Sequence, residues 1–266
     1  MNPLFKYHGS KARLADWYIQ RMPNHKTYIE LMGGSFAVGL KKPSNAISEV
    51  YNDVNGDIVN VFQVCREHPA EISDLLRLTP YARDEYFYSL EPTDSPIEKS
   101  RRFLVRSRMG ISPTTSSGFR NGVNKEDYSG HALTFSRLPD TVWKLSKRLS
   151  RVIIESKDWR LILKKYDLPE VFWFIDPPYL LDVRSNSSIR DGYLHDFTKD
   201  DHVELIERVK QLQGKVVICH YDHPLYNEML KDWNKDSCKG FTDSSKRRPT
   251  ECVWMNYGFD LFTTKQ

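Results

Sequence analysis

Four consecutive residues, Asp176-Pro177-Pro178-Tyr179, carry the most definite chemistry in the chain. An exocyclic amine on a nucleobase is a poor nucleophile, because its lone pair is delocalised into the ring. A carboxylate and a backbone carbonyl can each accept one of its N–H bonds. Together they favour a pyramidal nitrogen whose lone pair is free to attack. Proline fixes φ and supplies no competing donor, so the Pro177 carbonyl is rigidly aimed. Tyr179 offers a face on which an extruded base can stack. The plainer reading is a strand-end turn with an aromatic packed beneath it.

A second group lies upstream, in Glu30-Leu31-Met32-Gly33-Gly34-Ser35. Glycines at such a place let the backbone approach a ligand closely. Asp53 follows Gly34 by 19 residues, a position from which an acid commonly bonds ribose hydroxyls. The three-glycine dinucleotide fingerprint is absent, which argues against a nicotinamide or flavin pyrophosphate. A small nucleoside cofactor without phosphates fits better. Taken singly, the Gly-Gly pair and Asp53 are also what ordinary turns contain.

These residues need strands to place them. Residues 27–31 and 46–51 read as short strands, each followed by a helical pattern. Residues 151–155, 171–175, 215–220 and 251–257 read as further strands, and the fully apolar 171–175 suits a buried parallel one. Helices are predicted over 12–22, 58–64, 159–165 and 199–213. The βα rhythm predicts an α/β fold with a parallel sheet and helices on its faces. Both chemical groups then fall at strand ends, where open α/β sheets bind ligands. The rhythm breaks over 66–150, which reads as a separate, mainly helical module with a long polar loop at 109–131.

Aromatics make up 12% of the 266 residues, ample for a core and unlike a disordered chain. No apolar run reaches the roughly 18–20 residues a membrane span needs, and the polar, basic N-terminus is not a secretory signal. The four cysteines are scattered without zinc or disulfide spacing, which fits a reducing cytoplasm and no metal site. Net charge is only +4, yet Lys99–Lys125 holds seven basic residues and no acid. Further basic clusters occur at 144–151 and 246–248. Such runs suit a polyanion, or are simply solvated helix faces.

Four segments, in order, resemble the motifs of the Dam-like (D12 class) DNA adenine-N6 methyltransferases. Tyr7-His8-Gly9-Ser10-Lys11 resembles the first cofactor motif and Glu30–Ser35 the glycine loop. Asn52-Asp53-Val54-Asn55-Gly56-Asp57 resembles the acidic segment, and Asp176–Tyr179 is the catalytic tetrapeptide unchanged. Met32 stands where the family usually has Phe, and the glycine pattern is shifted.

The resemblance implies a Rossmann-like S-adenosylmethionine-dependent methyltransferase sheet formed by 1–65 and 151–266. A target-recognition domain is inserted at 66–150. It implies methyl transfer from S-adenosylmethionine to adenine N6 of a base flipped from duplex DNA. Asp176, Pro177, Pro178 and Tyr179 are then the catalytic set. Tyr7 and Lys11 would hold the methionine end of the cofactor, with Lys11 on its carboxylate. Glu30, Met32, Gly33, Gly34, Ser35 and Asp176 would line its path, Asp53 would bind the ribose, and Asp158 would reach the adenine. Asp158 reads equally well as a helix N-cap. For DNA, Arg106, Arg108, Arg120, Asn121 and Asn124 are types that read base edges. Arg184 and Arg190 would hold phosphates. Tyr193 and Phe197 would stack or merely pack. The expected setting is cytoplasmic, bacterial or phage-encoded. A monomer suffices, with a cognate restriction enzyme as a partner. Rival readings are methylation of cytosine N4 or of RNA adenine, and a non-catalytic DNA binder that kept the fold. Protein-glutamine methylation is a further rival, disfavoured by aspartate at 176.

Overall fold

The computed structural model describes residues 1–111, 118–121, 130–184, 196–239 and 250–258. Among them, seven strands form one sheet: β1 (Thr27–Glu30), β2 (Ser48–Asn52), β3 (Val152–Glu155), β4 (Val171–Ile175), β5 (Lys215–Tyr221), β6 (Asn234–Lys239) and β7 (Thr250–Met255). Their order is β3-β2-β1-β4-β5-β7-β6. The first five in that order are parallel. β7 runs antiparallel to β5 and to β6. The α/β reading and the six predicted strands stand. β6 is the addition: its sequence NKDSCK is polar and half exposed, as an edge strand can be.

The order reverses between β1 and β4, so the crossovers leaving those two strands diverge. That opens a crevice beyond their C-terminal ends. Glu30 pairs in register with Phe174, which puts Asp176 two residues further along the same rim.

Side chains alternate between two apolar layers, as a pleated strand requires. Phe172 and Phe174 of β4 face one layer, Val171, Trp173 and Ile175 the other. The second layer is closed by α9 (Trp159–Tyr166), α10 (Lys199–Val209) and α11 (Pro224–Met229). α10 starts with a reciprocal cap between Thr198 and Asp201. The first layer is closed by α1 (Ala15–Ile19), α2 (Ala37–Lys41) and α3 (Gly56–Glu67), joined by helices of the middle segment. These are α4 (Pro69–Leu78), α5 (Arg83–Tyr88), α6 (Pro96–Met109), α7 (His131–Ser136) and α8 (Leu138–Leu149).

The middle segment is mainly helical, as expected, but its described residues form no core separate from that of the sheet. Leu104, Val105, Val142 and Leu145 belong to the same buried cluster as Tyr51, Phe62 and Phe174. Buried Glu49 of β2 receives Lys42 and Arg148 of α8, each at 2.5 Å. An ion triad of this kind spans the boundary drawn at 65 and 150. Most of the expected polar loop, 112–117 and 122–129, lies outside the described residues.

Candidate active site

A cavity of about 250 Å³ sits in the crevice at the strand ends. The first motif, the glycine loop, the acidic segment, Asp158, Asp176 and Pro178 all line it. These residues, singled out in the sequence, thus converge from five separate stretches of chain.

Hydrogen bonds between the loops build the wall. Asp53 accepts from the Gly34 amide through one oxygen and from the Asn55 amide through the other, both at 2.8 Å. Tyr51 donates its hydroxyl to the Gly34 carbonyl at 2.8 Å. Ser10 and Ser35 share a hydrogen bond at 2.8 Å, which ties the first motif to the glycine loop. The glycines are needed for the protein's own packing. A Cβ at Gly33 would lie 2.3 Å from the Tyr51 ring. Gly34 has φ +47°, and a Cβ there would meet the Tyr7 ring at 2.9 Å. Close approach to a ligand was the expected reason, whereas two tyrosine rings supply the one the geometry gives.

Glu30 lines the cavity but is buried, accepting from Tyr28 at 2.7 Å and from the Gly39 amide at 2.8 Å. Burial pushes its carboxyl up to about 8, so it is largely neutral at pH 7. Met32 lines the cavity and packs against the second apolar layer. Asp158 caps α9 by accepting from the Arg160 amide, and it also lies on the cavity wall.

Asp176 pairs with Lys11 at 2.9 Å. Burial pushes its carboxyl up, Lys11 pulls it down and Glu251 pushes it up again, leaving it at about 6. Lys11 also stands 3.6 Å from Glu251 and 4.4 Å over the Tyr179 ring. Lys11, expected to hold a cofactor carboxylate, lines the cavity with two of the protein's own carboxylates beside it. Tyr179 is buried, its hydroxyl donated to Glu251. Its ring packs against His220 and Tyr221 at 4.5 and 4.7 Å between centroids, so the open stacking face expected of it is covered here.

Several expected DNA contacts are turned inward. Arg106 donates to the Ser89 carbonyl, and Arg108 to the carbonyls of Pro3 and Leu4. Arg120 donates to the carbonyls of Gly110 and Ile111. Arg184, its side chain 3% exposed, donates to the Tyr179 carbonyl at 2.6 Å and pairs with Asp196 at 2.7 Å. A guanidinium has five donors and no acceptor, so buried carbonyls compete strongly for it. Asn121 is exposed. Asn124, Arg190 and Tyr193 lie outside the described residues. Phe197 lines the cavity 6.1 Å from the Trp159 ring.

Sequence reasoning missed several residues. Asn52 bonds the Leu31 carbonyl at 2.9 Å and both the amide and carbonyl of Lys157, clamping two strand-end loops. It stood beside Asp53 in the acidic segment. His220 accepts from the Leu180 amide at 3.0 Å and shares its other nitrogen with the Tyr221 carbonyl. It is therefore neutral, and burial pushes it down to about 3. His8, Lys157, Trp159 and Arg160 also line the cavity. Glu251 carried no motif. Its only sequence signal was a place at the start of a predicted last strand.

Comparison with known proteins agrees with this geometry. The description of D12 class N6 adenine-specific DNA methyltransferases matches residues 7–246. The Type II methyltransferase M1.LlaDCHI of Lactococcus lactis subsp. cremoris is 26% identical over 283 aligned positions, covering 97% of this chain and 96% of that protein. A proposed rRNA-methylase from Clostridium thermocellum has a solved structure that superposes with a TM-score of 0.41 at 9% identity. That match covers 94% of this chain and 98% of that one, and is too loose to argue from. Among the described residues, no helix is long and apolar enough to cross a membrane.

Proposed function

Since the chain belongs to the D12 class of N6 adenine-specific DNA methyltransferases and methylates adenine N6 in DNA, we propose that S-adenosylmethionine binds in the cavity and the target adenine meets it at Asp176. The wall supports this. With Glu30 largely neutral, Asp53, Asp158, Asp176, Asp196 and Asp201 give the wall five carboxylates against the three cations Lys11, Lys157 and Arg160, a balance suited to a cofactor carrying a sulfonium and an α-ammonium. Trp159 and Phe197 add apolar surface, and a nucleoside needs both. When bound, the cofactor supplies an electrophilic methyl carbon with a neutral thioether as leaving group.

The residues around it bind and orient. Asp53 and Asp158 would take the ribose and adenine, Tyr7 and the glycine loop the methionine end. Asp176 and the Pro177 carbonyl would each accept one N–H of the target amine, directing its lone pair at the methyl carbon. The base must leave the helix to reach them. Pro178, on the cavity wall, and Tyr179 beneath it would limit how the base can sit. We assign target recognition to the segment between α3 and β3. By analogy with the lactococcal protein, we place the enzyme in a type II restriction–modification setting. There it would be a cytoplasmic monomer with a cognate endonuclease.

One observation carries the reading: Asp176, at the head of an unchanged Asp-Pro-Pro-Tyr, opens onto a cavity at the sheet's reversal point. The test is incubation with tritiated-methyl S-adenosylmethionine and mixed-sequence duplex DNA, then nucleoside digestion and mass spectrometry. N6-methyldeoxyadenosine is expected, and sequencing the marked sites gives the specificity. Asp176→Ala should abolish it while keeping cofactor binding by calorimetry. Label on cytosine or RNA would overturn the substrate, and retained turnover in Asp176→Ala would remove Asp176 from its role.

A further inference from the structure

Glu251 stands beside Lys11 and Tyr179, on the one described strand that approaches this rim in reverse. Because β7 is antiparallel to β5, its second residue stands opposite Tyr221, where the parallel strand ends. Glu251 is 3% exposed, and three donors converge on its Oε1. The Tyr18 hydroxyl arrives from α1 at 2.7 Å, the Tyr179 hydroxyl from the tetrapeptide itself, and the Lys11 ammonium stands at 3.6 Å. Lys11 in turn holds Asp176 at 2.9 Å. One buried carboxylate therefore grips two of the groups that touch Asp176 or follow it in the chain. A buried charge is tolerated only when paired and hydrogen-bonded in this way, and a packing residue at this place would need neither.

We propose that Glu251 is a positioning residue of the methyl transfer: by anchoring the Tyr179 hydroxyl and drawing on the Lys11 ammonium, it holds the Lys11–Asp176 pair so that Asp176 keeps an oxygen for the target amine. Without the charge on Glu251, Lys11 would bind Asp176 alone, and the amine would compete with an undivided ammonium for it. The inference rests on the assignment of Asp176 as the carboxylate that receives the amine.

Among the described residues, charged and titratable groups face Asp176 from several elements. Lys11 comes from the first motif, Tyr18 from α1, Glu30 from β1 and Glu251 from β7. Tyr179 follows in the chain, Cys219 and Tyr221 come from β5, and Tyr226 from α11. Of these, Lys11 pulls the Asp176 carboxyl down and Glu251 pushes it up. Removing the Glu251 charge therefore lowers it.

Glu251→Gln keeps the volume and an acceptor oxygen while removing the charge. Wild type and variant are compared with S-adenosylmethionine and a methylatable duplex. Measured are the single-turnover rate across pH, the cofactor affinity by calorimetry and the thermal midpoint. The rate is expected to fall by about 10- to 100-fold, the size of a small misplacement at a reacting centre. Cofactor affinity should stay within about threefold on that view, and the acid limb of the profile should move to lower pH. An unchanged rate with an unmoved limb overturns the proposal. So does an unmoved limb with rate, affinity and stability all lowered together, the mark of a merely structural residue. If Glu251→Gln does not fold, Tyr18→Phe carries the test, since it removes one anchor of Glu251 and no charge. A severalfold lower rate with cofactor affinity kept supports the proposal, and wild-type rate and profile overturn it. Wild-type protein that transfers no methyl to DNA would instead refute the underlying reading of Asp176.

Discussion

Acidification tests the central carboxylate most directly. Asp176 accepts an N–H bond strongly only when ionised, and its surroundings make ionisation harder than usual. Burial raises its proton affinity, the Lys11 ammonium lowers it, Glu251 raises it again, and the balance falls at about 6 against an ordinary 3.8. Such a group is about nine-tenths ionised at pH 7 and about one-tenth ionised at pH 5. The transfer step should therefore slow about tenfold between the two, a tenfold loss per unit once well below its midpoint. An ordinary aspartate would still be almost fully ionised at pH 5, and the rate would barely move. The assay is single-turnover methylation of a duplex, with enzyme and cofactor saturating, from pH 5 to 8.5 at constant ionic strength. Circular dichroism at each pH shows whether the fold persists. Lys11→Gln should move the acid limb upward, because it removes the charge that holds Asp176 down. A rate constant from pH 7 to pH 5 in folded protein, or a limb that Lys11→Gln leaves in place, would refute the reasoning.

Other perturbations separate structural from ligand-facing roles. Gly34→Ala forces an alanine to φ +47° against the Tyr7 ring. It should cost about 1–2 kcal/mol, read as a lower thermal midpoint together with weaker cofactor binding by calorimetry. Arg108→Ala removes the bonds that tie α6 to the carbonyls of Pro3 and Leu4. It should destabilise by about 1–3 kcal/mol while leaving the salt dependence of DNA affinity unchanged, and a flattened salt slope would return Arg108 to the DNA surface. Asp158→Ala should lose about 1 kcal/mol of cap stability and some cofactor affinity. Asp158→Ser should restore the thermal midpoint but not the affinity, and equal recovery of both would make Asp158 a cap alone.

The parallel half of the sheet was legible because its strands are apolar runs that end in small or acidic residues. Val171–Ile175 is the clearest, buried throughout and closed by Asp176. β6 was not legible, since a polar edge strand buries too little to leave a pattern. At the site, residues within motifs were found and brought together by the fold. What could not be read was which partner each would take. Lys11 was matched to a ligand carboxylate by charge, but the chain supplies two of its own, one of them 240 positions away in sequence. Glu251 was invisible for the same reason: its donors come from α1, the first motif and the tetrapeptide, and only the antiparallel return of β7 assembles them.

The run of seven basic residues shows how folding cancels a linear signal. Between Lys99 and Lys125 the sequence has no acid, yet the described members of the run pair with acids from outside it or bond to backbone carbonyls. Lys99 pairs with Asp57 at 2.8 Å. Arg101 pairs with Glu85 and Glu98, and Arg102 with Glu98. Arg106, Arg108 and Arg120 spend their donors on backbone carbonyls. The cause lies in α6, whose buried face includes Arg101 and Arg102 alongside Leu104, Val105 and Met109. A helix that must pack on α3 and α4 cannot present the same arginines to DNA, and a guanidinium withdrawn from water needs partners more than an exposed one does. The positive field that steers DNA must then come from side chains that reach water. Counting charges along a chain overstates that field wherever the charged stretch is also a packing helix.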